Sequence, residues 1–156
     1  MAAGDILNFI RVDERTALGG QPSEDHLRSL RQEGYEVVIN LAPPQEGAPA
    51  NEREILESTG IEYHHIPVPW AAPETVHLDE FFGAMDRNGE RSKLIHCAAN
   101  YRVTVFYSLY AMKRLGWSAT QADGLIAQIW ESRAGYRMDD VWNRFIAQAR
   151  ERLAKG

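Results

Sequence analysis

The chain holds a single cysteine, and the residues around it carry the chemistry. Leu94-Ile95-His96-Cys97-Ala98-Ala99-Asn100-Tyr101-Arg102 places Cys97 at the end of an apolar run. Arg102 follows five positions later, where a helix-like segment opens. A cysteine at a strand-to-helix turn faces backbone N–H groups and the positive end of the helix dipole, and both favour thiolate over thiol. A nearby arginine adds a permanent charge and a planar fork of donors that suits a tetrahedral oxyanion. These are the parts of an anion-binding nucleophile.

Elements must hold those parts in place. Residues 6–12 and 16–19 read as two short strands joined by Asp13-Glu14-Arg15. Gly19-Gly20-Gln21-Pro22 breaks the chain, and Ser23 is an N-cap for a helix running to about Gln32, with Gly34 at its left-handed end. Tyr35 to Leu41, with Val37, Val38 and Ile39 consecutive, reads as a strand buried on both faces. A short helix over 50–59 closes at Gly60, and Ile61 to His65 is the next strand. Pro67, Pro69 and Pro73 exclude helix from 66–73. A helix near 76–87 then precedes a strand from Ser92 to His96.

Residues 102–115 form a nearly all-apolar helix that should be buried at the centre of the fold. Ser118 and Gln121 make a capping box for a helix over 118–132, and the last helix spans about 139–154. Strands alternating with helices give an α/β fold. Its expected form is a central, mainly parallel sheet of four to five strands flanked by helices, with two C-terminal helices packed on it. Ligands bind at the C-terminal strand ends of such sheets, and Cys97 sits on one.

The bulk numbers bound the function. At 156 residues the chain reads as one domain, 1–156, large enough for a real core. A net charge of −5 argues against nucleic-acid or anionic-membrane partners. One cysteine allows no internal disulfide and no cysteine-rich zinc site, and the N-terminus lacks an apolar leader, so a cytoplasmic protein is expected. His64 and His65 are adjacent and point to opposite faces of a strand, while His26, His77 and His96 lie far apart. Neither a metal nor another cofactor is expected.

His96-Cys97 through Arg102 ahead of a buried helix resembles the signature of cysteine-dependent protein tyrosine and dual-specificity phosphatases. The upstream order agrees: Gly20-Gln21-Pro22-Ser23, a helix, Val37-Val38-Ile39-Asn40-Leu41, then Gly60-Ile61-Glu62-Tyr63 leading to Ile66-Pro67-Val68. Over roughly residues 6–116 the chain looks like the compact bacterial, atypical members, with the last two helices as an appended cap. The resemblance implies that Cys97 is the nucleophile forming a phosphocysteine and that Arg102 holds the equatorial oxygens. It implies further that Ala98, Ala99, Asn100 and Tyr101 cradle the phosphate and that His96 tunes the thiolate from behind. The implied substrates are phosphorylated proteins or small-molecule phosphates.

Two features depart from that pattern. The family loop has five residues between Cys and Arg, with a hydroxyl residue after the Arg. Here there are four, followed by Val103 and Thr104. One residue fewer shortens the loop path by up to roughly 3.5 Å. It also removes one donor, whose hydrogen bond to a charged group is worth about 1.5–3 kcal/mol. Asn100 is suited to the left-handed turn that a glycine usually supplies. The family's general-acid Asp would fall near Trp70, and Glu74 is the first carboxylate in reach. Losing a general acid removes a factor of about 10² to 10⁴. Two alternatives therefore stand beside a weak phosphatase: a pseudophosphatase module that binds an anionic partner, and a rhodanese-like sulfurtransferase carrying a Cys97 persulfide. The exposed faces of the last two helices are the candidate dimer surface, with oligomeric state left open.

Overall fold

A computed structural model describes residues 2–44, 48–132 and 137–155. Five strands form one sheet: β1 (Ile10–Asp13), β2 (Thr16–Gly19), β3 (Val37–Asn40), β4 (Glu62–His65) and β5 (Lys93–His96). Their spatial order is β1-β2-β5-β3-β4. β1 pairs antiparallel with β2, and every other pairing is parallel. The helices are α1 (Glu24–Ser29), α2 (Glu52–Ser58), α3 (Thr75–Arg87), α4 (Tyr101–Arg114), α5 (Ala119–Trp130) and α6 (Asp140–Lys155). β5 enters last and lies between β2 and β3, so its C-terminal end, which carries Cys97, stands at the middle of the sheet.

Strand alternation sorts the core into two layers. Ala17, Val38 and Leu94 face α1 and α2, packing with Leu27, Leu30, Ile55, Leu56 and Ile61. Leu18, Val37, Ile39 and Ile95 face the other side, with Leu78 and Phe81 of α3 and Val103, Val105 and Phe106 of α4. The sequence VVI can serve both layers because neither face of β3 meets water. Parallel strands covered on both sides have that composition. α4 is buried from Arg102 to Leu109. α5 and α6 pack against α4, forming a further layer on that side and not lying on the strands themselves. Among the described residues no helix is long and apolar enough to cross a membrane.

Two expected boundaries move. The strand expected over 6–12 begins only at Ile10, because residues 3–5 form a 3₁₀ turn and Asn8 takes a left-handed φ of 55°. Ile6 is instead a buried plug beside Ala3. The first helix ends at Ser29, short of Gln32, and gives way to turns that close at Gly34 with φ of 98°. Ser23 caps it as expected, but the reciprocal partner is the His26 ring, which accepts from the Ser23 N–H. The Ser118–Gln121 capping box and the non-helical 66–73 segment stand where the sequence puts them.

Candidate active site

The loop after β5 is held by its carbonyls. The Ala98 carbonyl accepts from the Gln21 N–H (2.9 Å), and the Ala99 carbonyl accepts from Asn8 Nδ2 (3.0 Å). The Cys97 carbonyl lies 3.2 Å from His96 Nδ1. A trans peptide points its C=O and N–H in opposite directions. The N–H groups of Ala98, Ala99 and Asn100 therefore point away from these three partners, none of which lines the cavity on the loop's other side. Asn100 supplies the turn that ends the loop, with φ of 71°, and its Nδ2 donates to the Asn8 carbonyl (2.8 Å). Asn8 and the loop thus exchange two hydrogen bonds. Gly20 makes this approach feasible: a Cβ there would stand 2.8 Å from the Ala98 carbonyl oxygen and 3.0 Å from that of Leu7.

Behind the loop lies a buried polar network. His96 follows Leu94 by two positions, so it faces α2, and its Nε2 sits 2.7 Å from Glu52 Oε2. Both side chains are almost wholly excluded from solvent. Glu52 Oε1 accepts from Gln21 Nε2 (2.8 Å), and the carboxylate also accepts from the Tyr63 hydroxyl. That hydroxyl accepts in turn from Asn40 Nδ2 (2.9 Å), whose Oδ1 accepts from the Ala42 N–H. Burial pushes the Glu52 carboxyl up, but the His96 hydrogen bond and charge, with the Gln21 and Tyr63 donors, outweigh it and hold the group below the usual carboxylate range. Burial and the Glu52 charge raise the Tyr63 phenol well above its ordinary value.

In front of the loop the surroundings are aromatic. Trp70, Cys97, Ala98, Ala99, Tyr101 and Arg102 line a cavity of about 260 Å³. Arg102 sits in the first turn of α4, and its guanidinium carbon lies 5.4 Å from the centroid of the Trp70 ring. Trp70 stacks on Trp130 of α5, with centroids 5.5 Å apart and planes 18° from parallel. It also meets Tyr101 and Trp142 of α6.

The expected residues sort accordingly. Cys97, Arg102, Ala98, Ala99 and Tyr101 share one cavity, with Trp70 over the loop. Two expected site residues do not line it. His96, expected among the catalytic residues, is turned by strand alternation toward Glu52 and reaches the loop only through the Cys97 carbonyl. Asn100, expected to bind substrate through its backbone N–H, keeps its side chain away from the cavity, with Nδ2 donating to the Asn8 carbonyl. Glu74 is exposed in the cap position of α3 and lines a different cavity, with residues 71–73 and α6, not the one at Cys97. His64 and His65 part as strand geometry requires, His64 to Glu62 and His65 to the Ala42 carbonyl.

Sequence reasoning missed Glu52, Gln21 and Asn8. The only available signal was the phase of β5, which puts His96 on the α2 side.

No family profile matches the chain. A DUF442 phosphatase-like protein of Shewanella putrefaciens CN-32 superposes with a TM-score of 0.84 at 27% identity, covering 96% of this chain and 95% of that one. Tk-PTP in its active form superposes at 0.74, with 21% identity over 92% of this chain and 97% of that one. The fold is that of the tyrosine and dual-specificity phosphatases. In sequence, a Beta-lactamase hydrolase-like protein of Xylella fastidiosa is 29% identical over 107 residues, or 66% of this chain. The chain spans about a quarter of the length of the curated relatives it matches.

Proposed function

We propose that this phosphatase-like chain is a cysteine-dependent hydrolase of phosphate esters, acting in the cavity between the loop and Trp70. The observation that carries the reading is the convergence of Cys97, itself buried, with the loop residues and Arg102 on one small space. A phosphoryl group there meets the outward N–H groups of Ala98, Ala99 and Asn100 together with a guanidinium. Such preorganised donors stabilise charge developing on equatorial oxygens. Cys97 Sγ attacks phosphorus, an S–P bond forms, and the ester oxygen departs with the bonding pair. Water then attacks the phosphocysteine, releasing inorganic phosphate and regenerating the thiolate.

The departing oxygen needs a proton unless its conjugate acid is already strong. Among the described residues no carboxylate lines the cavity, so turnover falls short of a complete site by about 10² to 10⁴ for poor leaving groups. Phenolic esters, from phosphotyrosine to small aryl phosphates, suffer least. Hydrolysis of an aryl phosphate should be measurable in the wild-type protein and absent in Cys97→Ser and Arg102→Ala. No release above Cys97→Ser would overturn the reading. Phosphate binding without turnover, lost in Arg102→Ala, would instead make the chain a binding module.

The same missing acid favours a second reading. Moving a sulfane sulfur onto a thiolate leaves a stable anion and needs no proton donor, and the four-residue loop encloses a small space. Incubation with thiosulfate followed by a mass gain of one sulfur on Cys97 would place sulfur transfer first.

A further inference from the structure

Arg102 is almost wholly buried, at 3% exposure, yet its guanidinium must stand at a defined point on the cavity wall to serve an anion. A long side chain does not hold one rotamer unaided, because fixing it costs conformational entropy. The flat face of Trp70 lies 5.4 Å from that guanidinium, within the range where a ring quadrupole attracts a cation. Trp70 is itself pinned from two directions. Trp142 Nε1 donates to the Trp70 carbonyl (3.0 Å), and the Trp130 ring is stacked on the indole. Trp130 Nε1 donates to the carbonyl of Tyr101 (2.9 Å), a second aromatic residue that lines the cavity. Two indole N–H groups from α5 and α6 therefore tie down the backbone at two of the residues that line the cavity. The tied segment pairs with the β3 side at its start, where the Ile66 and Val68 N–H groups donate to the Asn40 and Leu41 carbonyls, while Pro67, Pro69 and Pro73 carry no N–H.

We propose that Trp70 is a positioning residue for Arg102, and that α5 and α6 belong to the anion site because they fix Trp70. The proposal rests on reading the Cys97 cavity as an oxyanion site. It does not depend on whether phosphorus or sulfur is transferred there. In the position where a proton donor would stand, the chain has an aromatic plate that orients a charge.

Cys97 is the only thiol, so its alkylation reports on the local field. Iodoacetate carries a carboxylate and iodoacetamide does not; with either, Sγ displaces iodide and forms an S–C bond, gaining a carboxymethyl or a carbamidomethyl group. The ratio of the two rates measures the pull of a correctly placed Arg102 on an anion and cancels general changes in accessibility. Wild type should show a higher ratio than Arg102→Ala. Trp70→Leu should lower the ratio about fivefold. Trp70→Phe should recover most of that loss, and Trp70→Leu added to Arg102→Ala should change nothing further. A ratio that falls equally with and without Arg102, or is untouched by Trp70→Leu, overturns the positioning role alone. Equal ratios in wild type and Arg102→Ala would overturn the anion-site reading, and the positioning proposal with it.

Discussion

The two sides of the Cys97 loop are built on opposite principles. The rear is polar and directional: His96, Glu52, Gln21, Tyr63 and Asn40 form one buried chain of hydrogen bonds, and Asn8 exchanges two more with the loop. The front is aromatic, with Trp70, Tyr101, Trp130 and Trp142 packed ring to ring. The rear fixes backbone, because hydrogen bonds determine where each carbonyl points. The front fixes a side chain and excludes water, because rings give area and a charged face without consuming donors. An anion site needs both, and disruption should register differently on each side.

The largest effect is expected at the rear. Glu52→Ala leaves the buried His96 Nε2 without its carboxylate partner, and breaking a buried pair from one side costs about 3–5 kcal/mol. Urea unfolding at neutral pH measures this, and a loss below about 1 kcal/mol would mean that the pair behaves as a surface one. The acid limb offers a sharper check. The Glu52 carboxyl is held low in the folded state, so its contribution is complete above the unfolded value of about 4.3 and is lost as pH falls through the lower folded value. The stability gap between wild type and Glu52→Gln should therefore hold steady from neutrality to about pH 5 and narrow below it. A gap that widens on acidification would have the wrong sign for this network.

Next comes the contact that brings the loop against the frame. Gly20→Ala puts a Cβ 2.8 Å from the Ala98 carbonyl, and both groups are backbone, so one must shift. Overpacking of this kind costs about 1–3 kcal/mol. The shift also swings the Ala99 N–H, which shares that peptide, so oxyanion affinity should fall along with stability. Asn100→Ala follows at about 1–2 kcal/mol for a left-handed alanine. Asn100→Gly relieves that strain but still loses the bond to Asn8. Alanine should thus be the worse of the two, and equal losses would assign Asn100's main role to its side chain.

How much of this was legible in the sequence follows from what each feature depends on. Val37-Val38-Ile39 reads as a two-sided strand because burial on both faces leaves a local mark. The turn at Asn100 and the glycines at 34 and 60 read for the same reason, since a positive φ restricts residue type at one position. Cys97 and Arg102 are five residues apart, and one loop must bring them together. Trp70 falls near that loop through the family resemblance, which sets the usual general acid at its place, while the three prolines show only that its segment is not helical. Glu52 was illegible because it meets His96 across 44 positions. Strand alternation says which side His96 faces, but nothing local says which residue of α2 will be there. Gln21 and Asn8 were hidden similarly, in segments whose course depends on the loop they support.

The smallest expected effect tests the front. Trp142→Phe keeps an aromatic ring beside Trp70 and removes only the N–H that donates to the Trp70 carbonyl. A single such bond contributes about 1 kcal/mol net. If the front works by packing alone, the loss should end there, with alkylation of Cys97 unchanged. If it works by holding Trp70 at one height over Arg102, the carbonyl left without its donor lets the 66–73 segment drift. The iodoacetate preference then falls while the unfolding midpoint barely moves. A hydrogen bond this far from the sulfur influences the anion only through Trp70, so a change in selectivity without a matching change in stability separates positioning from mere filling.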